Sequence, residues 1–253
     1  MTLAWPVTIV GTGGPGYGYR GLSAALHRAL TDAGVVWRAD APLALHVTPP
    51  HEFAPLAGAR NILLTMVETD QIPGDQVARI QAADLVLVPC QHNKTVLRWA
   101  GVRRPIAVCP LGLHAEHGVP VPPRPLDGRT RFLWVGQANV RKGWDLVGPT
   151  FTEAFPGRTD VSLTLKTMPH AGLAAQFRTS TGRVRVIAEA YTDAEMAALY
   201  RAHDVFVFPT RGEGFGLPAL EAMAAECLVL APAISGLADF FDGRVGWTLP
   251  WAR

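Results

Sequence analysis

The sequence predicts an α/β protein made of two units, each built on a parallel sheet. Three observations predict it. Short apolar runs rich in β-branched residues alternate with helical stretches through both halves of the chain, the pattern of parallel strands joined by helices. A segment with four prolines in seven residues, Val119-Pro-Val-Pro-Pro-Arg-Pro125, breaks that alternation near the middle and reads as a stiff linker. No repeat with a period of about 20–50 residues is visible, which argues against a solenoid. The expected organisation is a first domain over 1–115, a linker over 116–129 and a second domain over 130–253.

In the first half a strand at 7–10 runs into Gly11-Thr-Gly-Gly-Pro-Gly16 and a helix at about 22–30. This has the G-x-G-x-x-G spacing of a dinucleotide-binding turn. The acid such a turn needs about 20 residues on, at the end of a second strand, is poorly placed. Asp32 falls before the strand at 35–37, and Asp40 lies just beyond it. The bland reading of Gly13, Gly14 and Gly16 is a tight turn feeding a helix, and Tyr17 and Tyr19 read as surface aromatics or stacking groups. Further strands are expected at 44–47, 61–67, 82–89 and 105–110, with a helix at 93–100 ended by Gly101. His51 sits in a Pro-rich turn, as a structural residue or a lining of a binding cleft. Glu68 follows the 61–67 strand, as a cap, a surface acid or a site acid. Lys94, Arg98, Arg103 and Arg104 form a basic face, read as a solvated helix face with weak membrane-surface association as the alternative.

In the second half a strand at 131–136 leads into Gln137-Ala-Asn-Val-Arg-Lys-Gly143 and a helix from about Trp144. Strands follow at 161–167 and 184–188, then a helix at 193–202, a strand at 204–209, a helix at 217–226 and strands at 228–231 and 246–249. The richest stretch is Glu213-Gly-Phe-Gly-Leu-Pro-Ala-Leu-Glu221, a glycine turn between strand and helix, with Pro218 suited to a first helical position. A helix N-terminus offers unpaired N–H groups and partial positive charge, a seat for phosphate. Gly214 and Gly216 let the backbone come close to a ligand. Two carboxylates beside a phosphate seat make sense for a ligand that also carries hydroxyls.

Composition narrows the classes. With 49% hydrophobic and 17% charged residues the chain is that of a globular protein, and a net charge of +2 gives no argument for nucleic acid. No apolar run of about 18 residues suggests a membrane span, and no secretory signal is visible, so a cytoplasmic location is expected. Cys90, Cys109 and Cys227 have neither disulfide nor zinc spacing. Lysine is confined to Lys94, Lys142 and Lys166, so Lys142 inside Arg-Lys-Gly stands out.

These motifs resemble the retaining glycosyltransferases of the GT-B fold, family 4 type. The resemblance rests on Glu213 and Glu221 in an E-x7-E arrangement, the Gly-Phe-Gly turn and Glu-Ala-Met-Ala continuation, Arg141-Lys-Gly143, and the Ala-Asp-x-Val-x-Val-Pro and Gly-Val-x-x-Pro-Ile segments of the first half. It departs from the family at Gln137, where an arginine is usual, at a loop one residue short, and at Cys90 in place of serine.

The resemblance implies two Rossmann-like domains facing a cleft, with a second domain that lacks its last helices. It implies transfer of a hexose from a UDP-, GDP- or ADP-sugar, with retention, to a glycan or lipid-linked glycan, as in polysaccharide biosynthesis. Donor binding would fall to Gln137, Arg141, Lys142, Glu213, Gly214, Phe215, Gly216, Leu217 and Glu221. Glu213 would hold sugar hydroxyls and Glu221 the ribose, and Lys142 and Glu213 carry the catalytic expectation. The acceptor or cleft side would comprise Gly13, Gly14, Gly16, Tyr17, His51 and Glu68. No Asp-x-Asp occurs, so the expectation is no metal and no cofactor beyond the nucleotide sugar. A shortened second domain would leave apolar residues in water and favour self-association. The alternatives are a non-catalytic sugar-nucleotide or glycan-binding module and an NAD-dependent oxidoreductase.

Overall fold

The structure, a computed structural model, describes residues 6–11, 17–124, 127–168 and 182–251, and of residues 11, 17, 18 and 20 the backbone alone. Contacts divide the chain into two units, Met1–Leu111 and Gly112–Arg253.

In the first unit the apolar runs form parallel strands in the order β2-β1-β3-β4-β5-β6: β1 Pro6–Gly11, β2 Val36–Trp37, β3 Leu43–Val47, β4 Arg60–Leu64, β5 Leu85–Val88 and β6 Ile106–Val108. The helices are α1 Tyr17–Asp32, α2 Gly74–Ile80 and α3 Gln91–Trp99. α1 starts five residues earlier than apolar spacing suggested, and α2 had no sequence expectation. One face of the sheet packs Leu63, Val86 and Val88 against Ile80, Val96 and Leu97, and the other packs Val7, Leu45 and Val47 against Leu22 and Leu26. A parallel sheet covered on both faces explains the near-continuous apolar strands.

Cys90, where the family has serine, performs the serine's local task. Its Sγ accepts from the Asn93 N–H at 3.4 Å and caps α3. The Asn93 side chain then binds the Val67 N–H and C=O at 2.9 and 3.0 Å, pinning the turn that follows β4.

The second unit repeats the design. Its strands run in the order β12-β11-β10-β7-β8-β9, all parallel: β7 Thr130–Val135, β8 Val161–Lys166, β9 Val184–Ile187, β10 Val205–Val207, β11 Leu228–Ala231 and β12 Trp247–Thr248. The helices are α4 Trp144–Ala154, α5 Asp193–Arg201 and α6 Leu217–Ala224. α5 begins at a capping box, in which Thr192 Oγ1 accepts from the Glu195 N–H and the Glu195 carboxylate accepts from the Thr192 N–H. Its core includes Leu133, Trp134, Leu163, Phe206, Phe208, Ala219, Ala222 and Val229.

The division between units falls earlier than the expected linker. Residues 112–124 pack on the second unit because they carry its partners. Arg201 donates to the Glu116 carbonyl at 3.0 Å, and Arg124 donates to the carbonyls of Ala225 and Glu226 at 2.5 and 2.8 Å. At the other edge Leu228, Val245 and Trp247 are exposed. No helix among the described residues is long and apolar enough to cross a membrane.

Candidate functional site

Strands β7 and β10 are neighbours in the second sheet and run parallel, so the loops that follow them leave the same edge side by side. Those loops carry Arg141, Lys142 and Gly143, and Thr210 to Gly216. This is the carboxyl edge, where open α/β sheets bind ligands. The two loops are bonded together. The Arg211 N–H donates to the Arg141 carbonyl at 2.7 Å, and Arg211 forms an ion pair with Asp145 at the start of α4. Gly143 has φ +70°, and a Cβ there would lie 2.1 Å from the Pro209 carbonyl oxygen. Only glycine allows the first loop to lie so close to the second.

Glu213 is 3% exposed and its charge is fully engaged. Lys142 Nζ donates to both carboxylate oxygens at 2.7 Å, Thr210 Oγ1 donates to Oε1 at 2.8 Å, and Arg141 Nη1 lies 3.4 Å from Oε1. The backbone is held as firmly. The Glu213 N–H donates to Ser235 Oγ at 2.9 Å, and its carbonyl accepts from the Gly236 N–H at 3.0 Å. Lys142 Nζ also lies 5.3 Å from the centre of the Phe208 ring. An ammonium has three protons, so one remains after the two bonds to Glu213.

The turn from 214 to 216 ends at Gly216, φ +100°, which precedes α6 with no side-chain cap. A Cβ at Gly216 would meet Leu237 at 2.8 Å. The Phe215 ring is buried and tilted on Phe240 at 5.2 Å, so at this position the backbone is what a ligand can meet. Leu217 is half-buried at the first position of α6.

Glu221 sits one turn into α6 and is half-buried. Its Oε2 accepts from the Tyr200 phenol at 2.8 Å, and its Oε1 lies 4.0 Å from His117 Nε2. Burial pushes the Glu221 carboxyl up; the Tyr200 hydrogen bond offsets part of that rise. Burial, and then the charge on Glu221, pushes the Tyr200 phenol well above its usual value, so it stays a donor. Burial pushes His117 down, with His114 and Arg201 adding to the effect.

The structure therefore gathers Arg141, Lys142, Glu213, Gly214, Phe215, Gly216 and Leu217 at one sheet edge, with Glu221 a turn along the same helix. Gln137 is exposed in the first loop, with Oε1 3.4 Å from Asn139 Nδ2. Arg141 is turned onto the loop, donating to the Gly212 carbonyl at 2.7 Å. In the first unit His51 is exposed in the turn Pro50–Glu52, 3.5 Å from Glu52, and Glu68 is exposed after β4. Gly13, Gly14 and Gly16 lie outside the described residues, as does the Tyr17 side chain. Tyr19 is not a surface aromatic. Its hydroxyl accepts from the Met66 N–H at 2.8 Å and donates to the Met66 carbonyl at 3.0 Å, and burial pushes its pKa up to about 12. Among the described residues no group of three or more His, Cys, Asp or Glu is placed to hold a metal ion. Sequence reasoning missed Thr210, Ser235, Tyr200 and His117 as site residues.

Residues 129–252 match the family model described as Glycosyl transferases group 1. This half of the chain belongs to the group 1 glycosyl transferases. The chain is 48% identical over 56 residues to the D-inositol 3-phosphate glycosyltransferase of Pseudarthrobacter chlorophenolicus, which is 22% of this chain and 13% of that protein. It is 29% identical over 125 residues to the lipopolysaccharide core biosynthesis mannosyltransferase LpsB of Rhizobium meliloti, 47% of this chain and 36% of that protein.

Among solved structures it resembles a Staphylococcus aureus TarM mutant in complex with fondaparinux, α-GlcNAc-glycerol and UDP. The TM-score is 0.64 at 15% identity, over 82% of this chain and 45% of that one. It also resembles sucrose-phosphate synthase from Thermosynechococcus elongatus, with a TM-score of 0.59 at 20% identity, over 87% of this chain and 61% of that one. The fold is GT-B, with one Rossmann-like sheet in each unit. The chain spans between 13% and 36% of the length of these curated relatives and between 45% and 61% of the length of these solved structures.

Proposed function

We propose that the protein is a retaining, metal-independent hexosyltransferase that takes a UDP-, GDP- or ADP-sugar and glycosylates a glycan or lipid-linked glycan in the cytoplasm, in polysaccharide biosynthesis. The observation that carries this reading is the Lys142–Glu213 pair beside the uncapped start of α6. When the glycosyl bond of a nucleotide sugar breaks, charge develops on the departing diphosphate. The third proton of Lys142 and the α6 N-terminus both stand ready to meet it without reorganising. Glu213, held by Lys142, Thr210 and Arg141, offers its remaining lone pair to a sugar hydroxyl, and Glu221 offers its own to the ribose. Gln137 and Arg141 flank the diphosphate. The first unit would take the acceptor, with the 13–16 glycines, Tyr17, His51 and Glu68 as its contacts. The relatives support the reading: the curated ones are glycosyltransferases by name, and the TarM complex contains UDP.

The presence of Lys142, Glu213 and Glu221 together favours this over a binding module. The site's geometry favours it over an oxidoreductase, because Asp40 is paired with Arg38 and no acid ends β2.

The test is a panel of UDP-, GDP- and ADP-sugars and NAD(H) screened by thermal shift, followed by a product assay with the donor that stabilises. Stabilisation by a nucleotide sugar and release of its nucleoside diphosphate are expected. Stabilisation by NAD(H) alone, or binding with no release, would turn the reading to one of the alternatives. Retention is checked by the anomeric configuration of the product.

A further inference from the structure

The Glu221 carboxylate is backed by groups that the proposed chemistry does not use. Tyr200 lies in the last turn of α5 and is fully buried, and its phenol, the one polar group of its side chain, donates to Glu221 Oε2 at 2.8 Å. The capping box at Thr192 fixes where α5 starts, and hence where Tyr200 falls, two turns on. The ring is gripped on two sides, by His117 at 5.8 Å and by Phe206 at 5.7 Å, both edge-on.

His117 belongs to the turn Ala115–Gly118, itself tied to α5 by Arg201 and by a His114–Asp193 contact at 3.2 Å. Its Nδ1 is buried with no hydrogen-bond partner, and its Nε2 stays beyond hydrogen-bond distance of Oε1. Around Glu221, then, the ionisable neighbours are Tyr200, His117, Asp193 and, more distantly, Lys142. Of these, the one that bonds the carboxylate is the phenol. One of the carboxylate's roughly four acceptor sites is thereby filled from behind, and the rest keep a single orientation.

We infer that Tyr200 is a positioning residue for ribose recognition: it acts through Glu221, holding the carboxylate in the plane that receives a vicinal diol. This rests on the reading of Glu221 as the ribose-binding acid. A diol needs both oxygens in one plane, and a glutamate with three free side-chain torsions would lose that plane without a fixed partner. The phenol supplies the partner without neutralising the carboxylate, which a lysine or arginine there would do.

The experiment compares each ribonucleoside diphosphate (UDP, GDP, ADP) with its 2′,3′-dideoxy counterpart by calorimetry on the whole chain. The proteins are the unmodified chain, Tyr200→Phe, Glu221→Gln and the double variant. The unmodified chain should prefer one ribo form by about tenfold or more, the size of one charge-assisted hydrogen-bond set. Glu221→Gln should abolish most of that preference. Tyr200→Phe keeps the ring packing and should cut the preference several-fold, with dideoxy affinity unchanged. In the Glu221→Gln background it should have no further effect.

A full ribo preference in Tyr200→Phe, while Glu221→Gln loses it, would overturn this inference alone. A preference untouched by Glu221→Gln, or absent from the unmodified chain for every base, would overturn the reading of Glu221 and the inference with it. Should Tyr200→Phe melt early, Tyr200→Trp and Tyr200→His provide the second comparison. A ring nitrogen that restores the donor should restore the preference, and failure of both to do so, in folded protein, would overturn the inference.

Discussion

The two glutamates of the E-x7-E stretch have the same side chain, lie on one turn-and-helix segment, and sit in opposite electrostatic surroundings. Glu213 is enclosed by Lys142, Arg141 and Thr210. Glu221 is bonded to a neutral phenol and faces an imidazole that burial keeps uncharged near neutral pH. The first is a carboxylate whose charge is cancelled and whose geometry is locked. The second is a carboxylate that must carry its own desolvation. The difference teaches that one residue type does two jobs here. A locked, compensated acid suits the reacting sugar, where a misplacement of about 1 Å is costly. A lightly held acid suits recognition of a ribose that does not react.

The comparison is broken most severely at Lys142. Lys142→Ala leaves Glu213 buried with Arg141 at 3.4 Å as its remaining cation, and removing one partner of a buried pair costs about 3–5 kcal/mol. Donor turnover should fall by a factor of about 10²–10³, the loss expected for one oxyanion contact. The double change Lys142→Met with Glu213→Gln should recover most of the stability and none of the turnover. Chemical denaturation and steady-state rates measure the two separately. A normal rate in Lys142→Ala would remove Lys142 from the site.

Next in size is the contrast between the two acids themselves. Glu213→Gln strands the Lys142 ammonium in a buried position, so it should destabilise the fold and chiefly lower turnover. Glu221→Gln keeps an acceptor for Tyr200 and removes a desolvated charge, so it should be neutral or stabilising and chiefly weaken nucleoside diphosphate binding. Paired melts and calorimetry test this. Equal losses of stability with no effect on binding or rate would mean that both acids are structural.

Part of this contrast was readable in the sequence. Glu213, Glu221 and Arg-Lys-Gly stand out because each sits in a local pattern whose physics is local: glycines for close approach, a helix start for charge. That Lys142 and Glu213 meet follows from β7 and β10 being neighbours in the sheet, although 71 residues separate the pair. Strand order is set by long-range packing and leaves no short-range mark. Tyr200 was invisible for the same reason, as an aromatic at core spacing whose partner lies 21 residues away. Cys90 stood out in the sequence as a departure from the family's serine; its cap on α3, a contact within three residues, is seen in the structure. The 116–129 segment read as a linker because proline composition is local, whereas the ties of Glu116 to Arg201 and of Arg124 to Ala225 and Glu226 are not.

A smaller effect sharpens the comparison through pH. Burial raises the Glu221 pKa in the folded protein above its ordinary 4.5. Between the unfolded and the folded pKa the native state holds a proton that the unfolded chain has lost. Its contribution to stability therefore falls as pH rises through that window and is level above it. Glu221→Gln should flatten that part of the stability–pH curve. Denaturation midpoints from pH 4 upward, compared between the unmodified chain and Glu221→Gln, give the answer. An unchanged slope in Glu221→Gln would place the titrating group elsewhere.

The smallest expected effect is none at all, and it concerns the source of positive charge. Transferases that lack a cationic cradle commonly use a divalent metal on an Asp-x-Asp pair to hold the departing diphosphate. This sequence has no Asp-x-Asp. It places an ammonium with a spare proton and an uncapped helix start at the same sheet edge. Both act in a partly dehydrated place, where fixed dipoles and charges are worth more than in water. A cation already built into the Glu213 side of the site leaves nothing for a metal to add, so turnover should be the same with EDTA as with Mg²⁺ or Mn²⁺. If EDTA abolishes turnover and a divalent ion restores it, Lys142 and the α6 start do not suffice. The compensated surroundings of Glu213 would then serve its own burial rather than the leaving group.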